Sequence, residues 1–151
     1  MAKQVKPIPE GYHALTPYLV VDGAEKVVTF MKEAFGAKPV FEPVMRADGK
    51  IMHAEFKIGD SIVMIGDSSD RARPTTAMLH LYVPDVDAVY QKALKASATS
   101  LMEPSNQFYG DRSGSVADPA GNRWFIGTHI EDVSPAELKK RAAEMLKQRA
   151  A

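Results

Sequence analysis

MLHLYVPDVDAVYQKALKA, residues 78–96, decides the fold. Residues 78–83 are aliphatic and aromatic and read as a strand. From residue 85 onward the period changes. Val86, Val89, Tyr90, Ala93 and Leu94 recur at helical spacing, so a strand runs almost directly into an amphipathic helix.

The same order occurs once before. HALTPYLVV (13–21) reads as a strand, with Pro17 pointing to an edge or a bulge because it has no N–H. Asp22-Gly23 ends it. AEKVVTFMKEAFG (24–36) then sets Val27, Val28, Met31, Ala34 and Phe35 on one helical face, with Glu25, Lys26, Lys32 and Glu33 opposite. Gly36 supplies the stop.

Each helix precedes three strand segments: 38–46, 51–58 and 61–65 after the first, and 98–103, 114–118 and 123–128 after the second. Asp48-Gly49 and Gly59-Asp60 mark hairpin turns. Asp22 and Asp85 occupy matching strand–helix junctions, and Gly59 and Gly121 matching hairpins. In 51–58, Met52, Ala54 and Phe56 alternate with His53, Glu55 and Lys57, an apolar and a polar sheet face.

These elements define an α+β protein of two βαβββ modules. The expected boundaries are an N-terminal arm over 1–12 and one domain over 13–132, followed by a C-terminal helix over 133–151. Within the domain, module one spans 13–66, a polar linker 67–76, and module two 77–132. The last helix has Ser134 as N-cap, Pro135 in its first turn and Glu137 to complete a capping box. Leu138 and Met145 lie on one side of it, suited to pack on a partner or cover an edge.

Composition narrows the function. Nineteen basic and nineteen acidic residues cancel, so no overall field favours nucleic acid or an anionic membrane. Cysteine is absent, which excludes disulfides, thiolate metal sites and a cysteine nucleophile. No apolar leader or membrane-length run is present, and a cytoplasmic location is expected. No phosphate loop, nucleophile elbow or H-E-x-x-H motif occurs.

The doubled βαβββ plan, with DPAGN (118–122) before the last strand, resembles the vicinal oxygen chelate superfamily of glyoxalases, bleomycin-resistance proteins and dioxygenases. LTPYLVVDGAEKVVTFMKEAFGA, MHAEFKIGDSIVMIGD, LHLYVPDVDAVYQKAL and QFYGDRSGSVADPAGNRWFIGTHIEDVS are similar to its PhnB-like branch. The resemblance covers roughly residues 13–134 and implies cup-shaped mixed sheets with helices outside. It also implies a homodimer whose subunits complete each other's cups.

Metal-dependent members of that group place His, Gln or Glu near the start of the first strand and within the last strand of each module. Alignment on Asp22 and Asp85 puts Leu15 and Met78 at the first-strand positions. Alignment on the last hairpins puts Met64 and Phe125 at the last-strand positions. Leu and Phe coordinate nothing, and Met is a poor ligand for Zn²⁺, Ni²⁺, Mn²⁺ or Fe²⁺.

The reading is therefore a metal-free protein, without a cofactor and leaning away from enzyme activity. It would bind a small apolar or aromatic molecule in a cup. Met64, Met78, Tyr82, Trp124 and Phe125 are expected to line the cup, although alternation allows only one of Trp124 and Phe125 to face inward. His53, Glu55 and Arg112 would orient the ligand, with His80 also among the binding residues. Phe108 and Tyr109 in QFYGDRSG (107–114) offer flat surfaces at the mouth, while Asp111 and Arg112 also suit a pair that fixes the loop. His129 is expected at the surface or an interface. The alternative is a divalent-metal lyase, isomerase or dioxygenase with a displaced site at His53, Glu55 and His80.

Overall fold

The computed structural model describes residues 5–151. Its elements are β1 (Tyr18–Val21), α1 (Ala24–Phe35), β2 (Lys38–Pro39), β3 (Val44–Met45), β4 (Ile51–Ile58) and β5 (Ser61–Asp67). They continue with β6 (Met78–Tyr82), α2 (Val86–Lys95), β7 (Thr99–Asn106), β8 (Asp111–Ala117), β9 (Arg123–His129) and α3 (Pro135–Ala150). The first mixed sheet runs β1-β5-β4-β2 with β3 also on β4; the second runs β6-β9-β8-β7. In both, the opening strand lies parallel to the last strand of its own module and the other pairs are antiparallel. The doubled βαβββ plan and the C-terminal helix are present as the sequence implied.

Two strands are shorter than their sequence pattern suggested. β1 begins at Tyr18, not at residue 13, because Pro17 has no N–H for the ladder; it contributes only its carbonyl, to Met64 N at 2.9 Å. The segment 38–46 is split into β2 and β3, with Pro43 in the break. β5, in contrast, extends to Asp67, so the linker begins one residue later.

The reason for that extension is a long-range helix cap. The N-cap of α1 is Gly23, which has no side chain to offer. Asp67 caps the helix from the end of β5: Oδ1 accepts from Gly23 N and Ala24 N, and Oδ2 from Ile51 N. Asp22 bonds Ser68 instead. In module two Asp85 is a local N-cap, accepting from Ala88 N. Thr128 on β9 takes the part of Asp67, accepting from Val86 N at 2.9 Å and donating to Val83 O at 2.8 Å. The two modules thus share the device of a last-strand side chain that locks the head of the helix.

One core joins the modules. Val27, Phe30, Met31 and Ala34 of α1 and Val86, Tyr90 and Ala93 of α2 pack with Leu19, Ala54, Phe56, Ile65, Val116, Trp124 and Ile126 from the helix side of the sheets. Burial of each larger side chain contributes about 1.5–3 kcal/mol. α3 begins as its sequence indicates, Ser134 Oγ accepting from Glu137 N at 3.2 Å. The capping box is only half formed, because the Glu137 carboxylate turns to Arg141.

Candidate ligand-binding site

Strand alternation gives each sheet a helix side and an uncovered side. On the uncovered side of the first sheet, Tyr18, Met64 and Glu55 stand abreast on β1, β5 and β4. On the second sheet, His80, Phe125 and Ser115 stand abreast on β6, β9 and β8. Tyr18 and His80 therefore hold equivalent places, and so do Met64 and Phe125. Gly66 and Gly127 follow two residues later. A β-carbon at Gly66 would lie 3.4 Å from the Tyr18 hydroxyl, and one at Gly127 would lie 3.1 Å from His80 Nε2. Gly127 makes room for the His80 ring, whereas Gly66 chiefly admits the Met52 carbonyl of β4, which an added β-carbon would meet at 2.7 Å.

The polar floor of the first sheet is a chain of hydrogen bonds. Tyr18 Oη lies 2.9 Å from His53 Nδ1, His53 Nε2 lies 2.8 Å from Glu55 Oε1, and Tyr12 of the N-terminal arm donates to Glu55 Oε2. Glu55 is buried while His53 and Tyr18 stay partly open. Phe41 stacks at 6.2 Å and 24° on the His53 ring. The bond to Glu55, reinforced by burial, raises the pKa of Tyr12, so the arm keeps its proton.

The second sheet carries its own cluster. Buried Asp111 accepts from Tyr82 Oη at 2.8 Å and pairs with His129 Nδ1 at 2.8 Å, and His129 Nε2 pairs with Asp132 at 2.8 Å. Burial pushes the Asp111 carboxyl up, but the bonds from His129 and Tyr82 outweigh it and hold its pKa below the usual value. Bonds from Asp132 and then Asp111 raise His129. As its sequence position suggested, His129 is half exposed.

These two shifts define a pH window. The raised His129 gives stability that is complete below its unfolded pKa of about 6.5 and is lost as pH rises through its higher folded value. The depressed Asp111 gives stability present above its unfolded value of about 3.9 and lost as pH falls through its lower folded value. The melting temperature is expected to decline from pH 6 toward pH 9 (about the span of one histidine titration), and His129→Gln should flatten that decline. An unchanged slope in the variant would refute the assignment.

Of the residues singled out from sequence, His53 and Glu55 are brought into direct contact, and Met64, Met78, His80, Tyr82 and Phe125 lie on uncovered faces. Trp124 does not. It is buried on the helix side, 4.9 Å from the Phe35 ring and 6.3 Å from Phe30, and its Nε1 donates to Asp118. Arg112 also points away: it forms two bonds to Asp87 of α2 at 2.8 and 2.9 Å and one to Asn106. The Asp111–Arg112 pairing is replaced by Asp111–His129 and Arg112–Asp87, because adjacent strand residues face opposite ways. Phe108 and Tyr109 occupy the β7–β8 turn, where their rings meet edge to face at 5.3 Å and Tyr109 Oη reaches Ser113 at 3.4 Å. Tyr12, Tyr18, Asp111 and Phe41 were not singled out as binding residues; only their partners in space mark them.

The donor set does not fit a divalent metal. Leu15, Met64, Met78 and Phe125 offer no oxygen or nitrogen, both ring nitrogens of His53 and both oxygens of Glu55 are engaged in hydrogen bonds, and His80 belongs to the other sheet. Among the described residues no group of three or more His, Cys, Asp or Glu side chains is arranged to hold a metal ion. The displaced site at His53, Glu55 and His80 is not assembled within one chain.

Two βαβββ units, each with an uncovered sheet face, form the architecture of the glyoxalase group. The chain matches the model of the Glyoxalase/Bleomycin resistance protein/Dioxygenase superfamily over residues 12–126 and belongs to that family. It is 37% identical over 137 residues to an uncharacterized protein of Mycobacterium bovis, covering 83% of this chain and 90% of the relative. An uncharacterized protein of Mycobacterium tuberculosis is equally similar at 37% identity, with 83% and 80% covered.

Among solved structures, TioX from Micromonospora sp. ML1 superposes with a TM-score of 0.65 at 22% identity, covering 78% of this chain and 99% of that one. A glyoxalase/bleomycin resistance protein/dioxygenase family enzyme from Burkholderia phytofirmans PsJN gives 0.62 at 15% identity, with 76% and 97% covered. Both likenesses concern the fold. No helix among the described residues is long and apolar enough to cross a membrane.

Proposed function

We propose that the protein is a PhnB-like, metal-free binding protein of the cytoplasm. In this reading it holds a small apolar or aromatic molecule between the uncovered sheet faces of two copies of the chain. Binding, without turnover, is the activity.

One observation carries this reading: the uncovered faces display Tyr18, Met78 and Tyr82 at 47%, 65% and 60% exposure, beside Met64 and Phe125. Apolar surface grouped in this way marks an interaction face. Thioether and aromatic groups adapt to flat, polarizable ligands, while His53 and Glu55 supply polar orientation. In one chain these faces are open. A cleft of about 210 Å³ at the seam between the modules is lined by His13, Leu15, Ile62, Leu79, His80 and Trp124 but not by Met64 or Phe125. A second copy would close the faces into cups, with Phe108 and Tyr109 at the rim. The net charge of zero gives no support to nucleic acid or membrane as partner.

The test combines light scattering, a thermal-shift screen of aromatic compounds and metal analysis of protein purified without chelators. A dimer is expected, with at least one compound that raises the melting temperature. Phe125→Glu should weaken that compound about ten- to a hundredfold, the value of one buried aromatic contact. Stoichiometric Ni, Zn, Mn or Fe, lost on His80→Ala, would overturn the reading in favour of the metal-dependent alternative.

A further inference from the structure

The direction of the hydrogen bonds on the first sheet specifies more than an apolar ligand. An ionised Glu55 can only accept, so His53 Nε2 carries the proton of their 2.8 Å bond. With neutral His53, Nδ1 is then a lone pair, and the Tyr18 hydroxyl must donate to it across 2.9 Å. In that tautomer Tyr18 directs its proton inward, and its oxygen presents only lone pairs to the uncovered face. A neutral ligand is matched there if it brings an O–H donor.

We propose that the Tyr18–His53–Glu55 relay makes this face a receptor for an acidic hydroxyl on a planar ring, a phenol, which is taken up as the phenolate. The inference rests on the proposed ligand-binding role and names the ligand class for that same site. The steps balance. The phenol O–H gives its proton to Tyr18 Oη as Tyr18 gives its own to His53 Nδ1. The result is a phenolate accepting from Tyr18 and an imidazolium held against the Glu55 carboxylate. No proton leaves the complex.

The surroundings suit this role. The groups facing His53 are Tyr18 on β1, Glu55 on its own strand and Phe41 stacked on the ring. Tyr12 occupies the other oxygen of Glu55. That second bond prevents Glu55 from turning outward to compete for the ligand hydroxyl. Met64, beside Tyr18 and Glu55, gives the ring an apolar seat.

The experiment titrates the full-length protein with 4-nitrophenol and with 4-nitroanisole, which has the same ring but no hydroxyl proton. Binding is followed by calorimetry in buffers of different ionisation enthalpy and by the phenolate colour. At a pH below the free phenol's own pKa, bound nitrophenol should turn yellow without releasing a proton to buffer. Its apparent pKa should fall by about one unit, a tenfold preference for the anion. Tyr18→Phe and His53→Gln should each bring the nitrophenol-to-nitroanisole affinity ratio back toward one.

Equal binding of both probes without colour overturns the relay and leaves the binding role standing. Colour with a full proton released overturns His53 as the store, and this readout needs no variant to fold. Failure of both probes to bind at millimolar concentration overturns the inference together with the role beneath it.

Discussion

Asp118→Ala is expected to lower the unfolding free energy by about 3–5 kcal/mol, the cost of breaking a buried, charge-assisted network from one side. Asp118 is buried and accepts four hydrogen bonds, from Ala120 N, Asn122 N, Asn122 Nδ2 and Trp124 Nε1, at 2.9–3.0 Å. Asn122, fully buried, passes the connection on by accepting from Ala77 N at 2.9 Å, the residue before β6. One carboxylate therefore ties the last hairpin, the indole in the shared core and the entry of the second module together. Alanine would leave the amide and indole N–H groups without acceptors in a site closed to water.

In a chain of this size the loss corresponds to roughly 10 °C in melting temperature. Asp118→Asn should recover only part of it, since its amide can serve either the two backbone donors or the two side-chain donors with oxygen, not both. Urea denaturation of both variants checks the order. A loss under about 1 kcal/mol for Asp118→Ala would show that the corner is not under this constraint.

That corner also explains how far the sequence could be read. The change of period, from strand to helix and back to strands, exposed the doubled module because local patterning follows local backbone geometry. Gly36 and Ser134 were legible as helix punctuation for the same reason: each serves backbone within a turn of itself. Asp67 was not, because it caps α1 from 43 residues away. The contact between His53 and Glu55 was legible because two residues along a strand share a face.

Trp124 and Phe125 could not be separated from sequence. A continuous apolar run carries no alternation, and only pairing with Val116 and Leu79 on the helix side assigns the indole to the core. Tyr18, 35 residues from His53, and Tyr12, 43 from Glu55, are joined to their partners only by folding. The His53–Glu55 pair is local, but the tyrosines that extend it on both sides come from distant parts of the chain.

Gly110→Ala is the second large effect, expected at about 3 kcal/mol or more. Gly110 sits at φ 94° in the β7–β8 turn, and its carbonyl accepts from Ile130 N and Glu131 N at 2.9 and 3.0 Å. A β-carbon there would lie 2.2 Å from the Glu131 carbonyl oxygen and 2.9 Å from Val133 Cγ2. The β-carbon is fixed by the backbone and its shortest contact is a backbone oxygen, so no rotamer change relieves that clash. The φ value alone costs about 1–2 kcal/mol for a residue with a side chain. The remainder must come from moving residues 130–133 and, with them, α3, whose Arg141 grips Glu131 through two bonds at 2.7 and 2.9 Å and Phe108 O at 3.3 Å.

Gly49→Ala isolates the first contribution. Gly49 has φ 81° and nothing within 4 Å of its would-be β-carbon. The expected result is a loss near 1 kcal/mol for Gly49→Ala and about three times that or more for Gly110→Ala, with faster amide exchange at Ile130 and Glu131 only in the latter. Equal losses would mean that the turn shifts freely, and that Phe108 and Tyr109 are not held at a fixed rim beside the uncovered face.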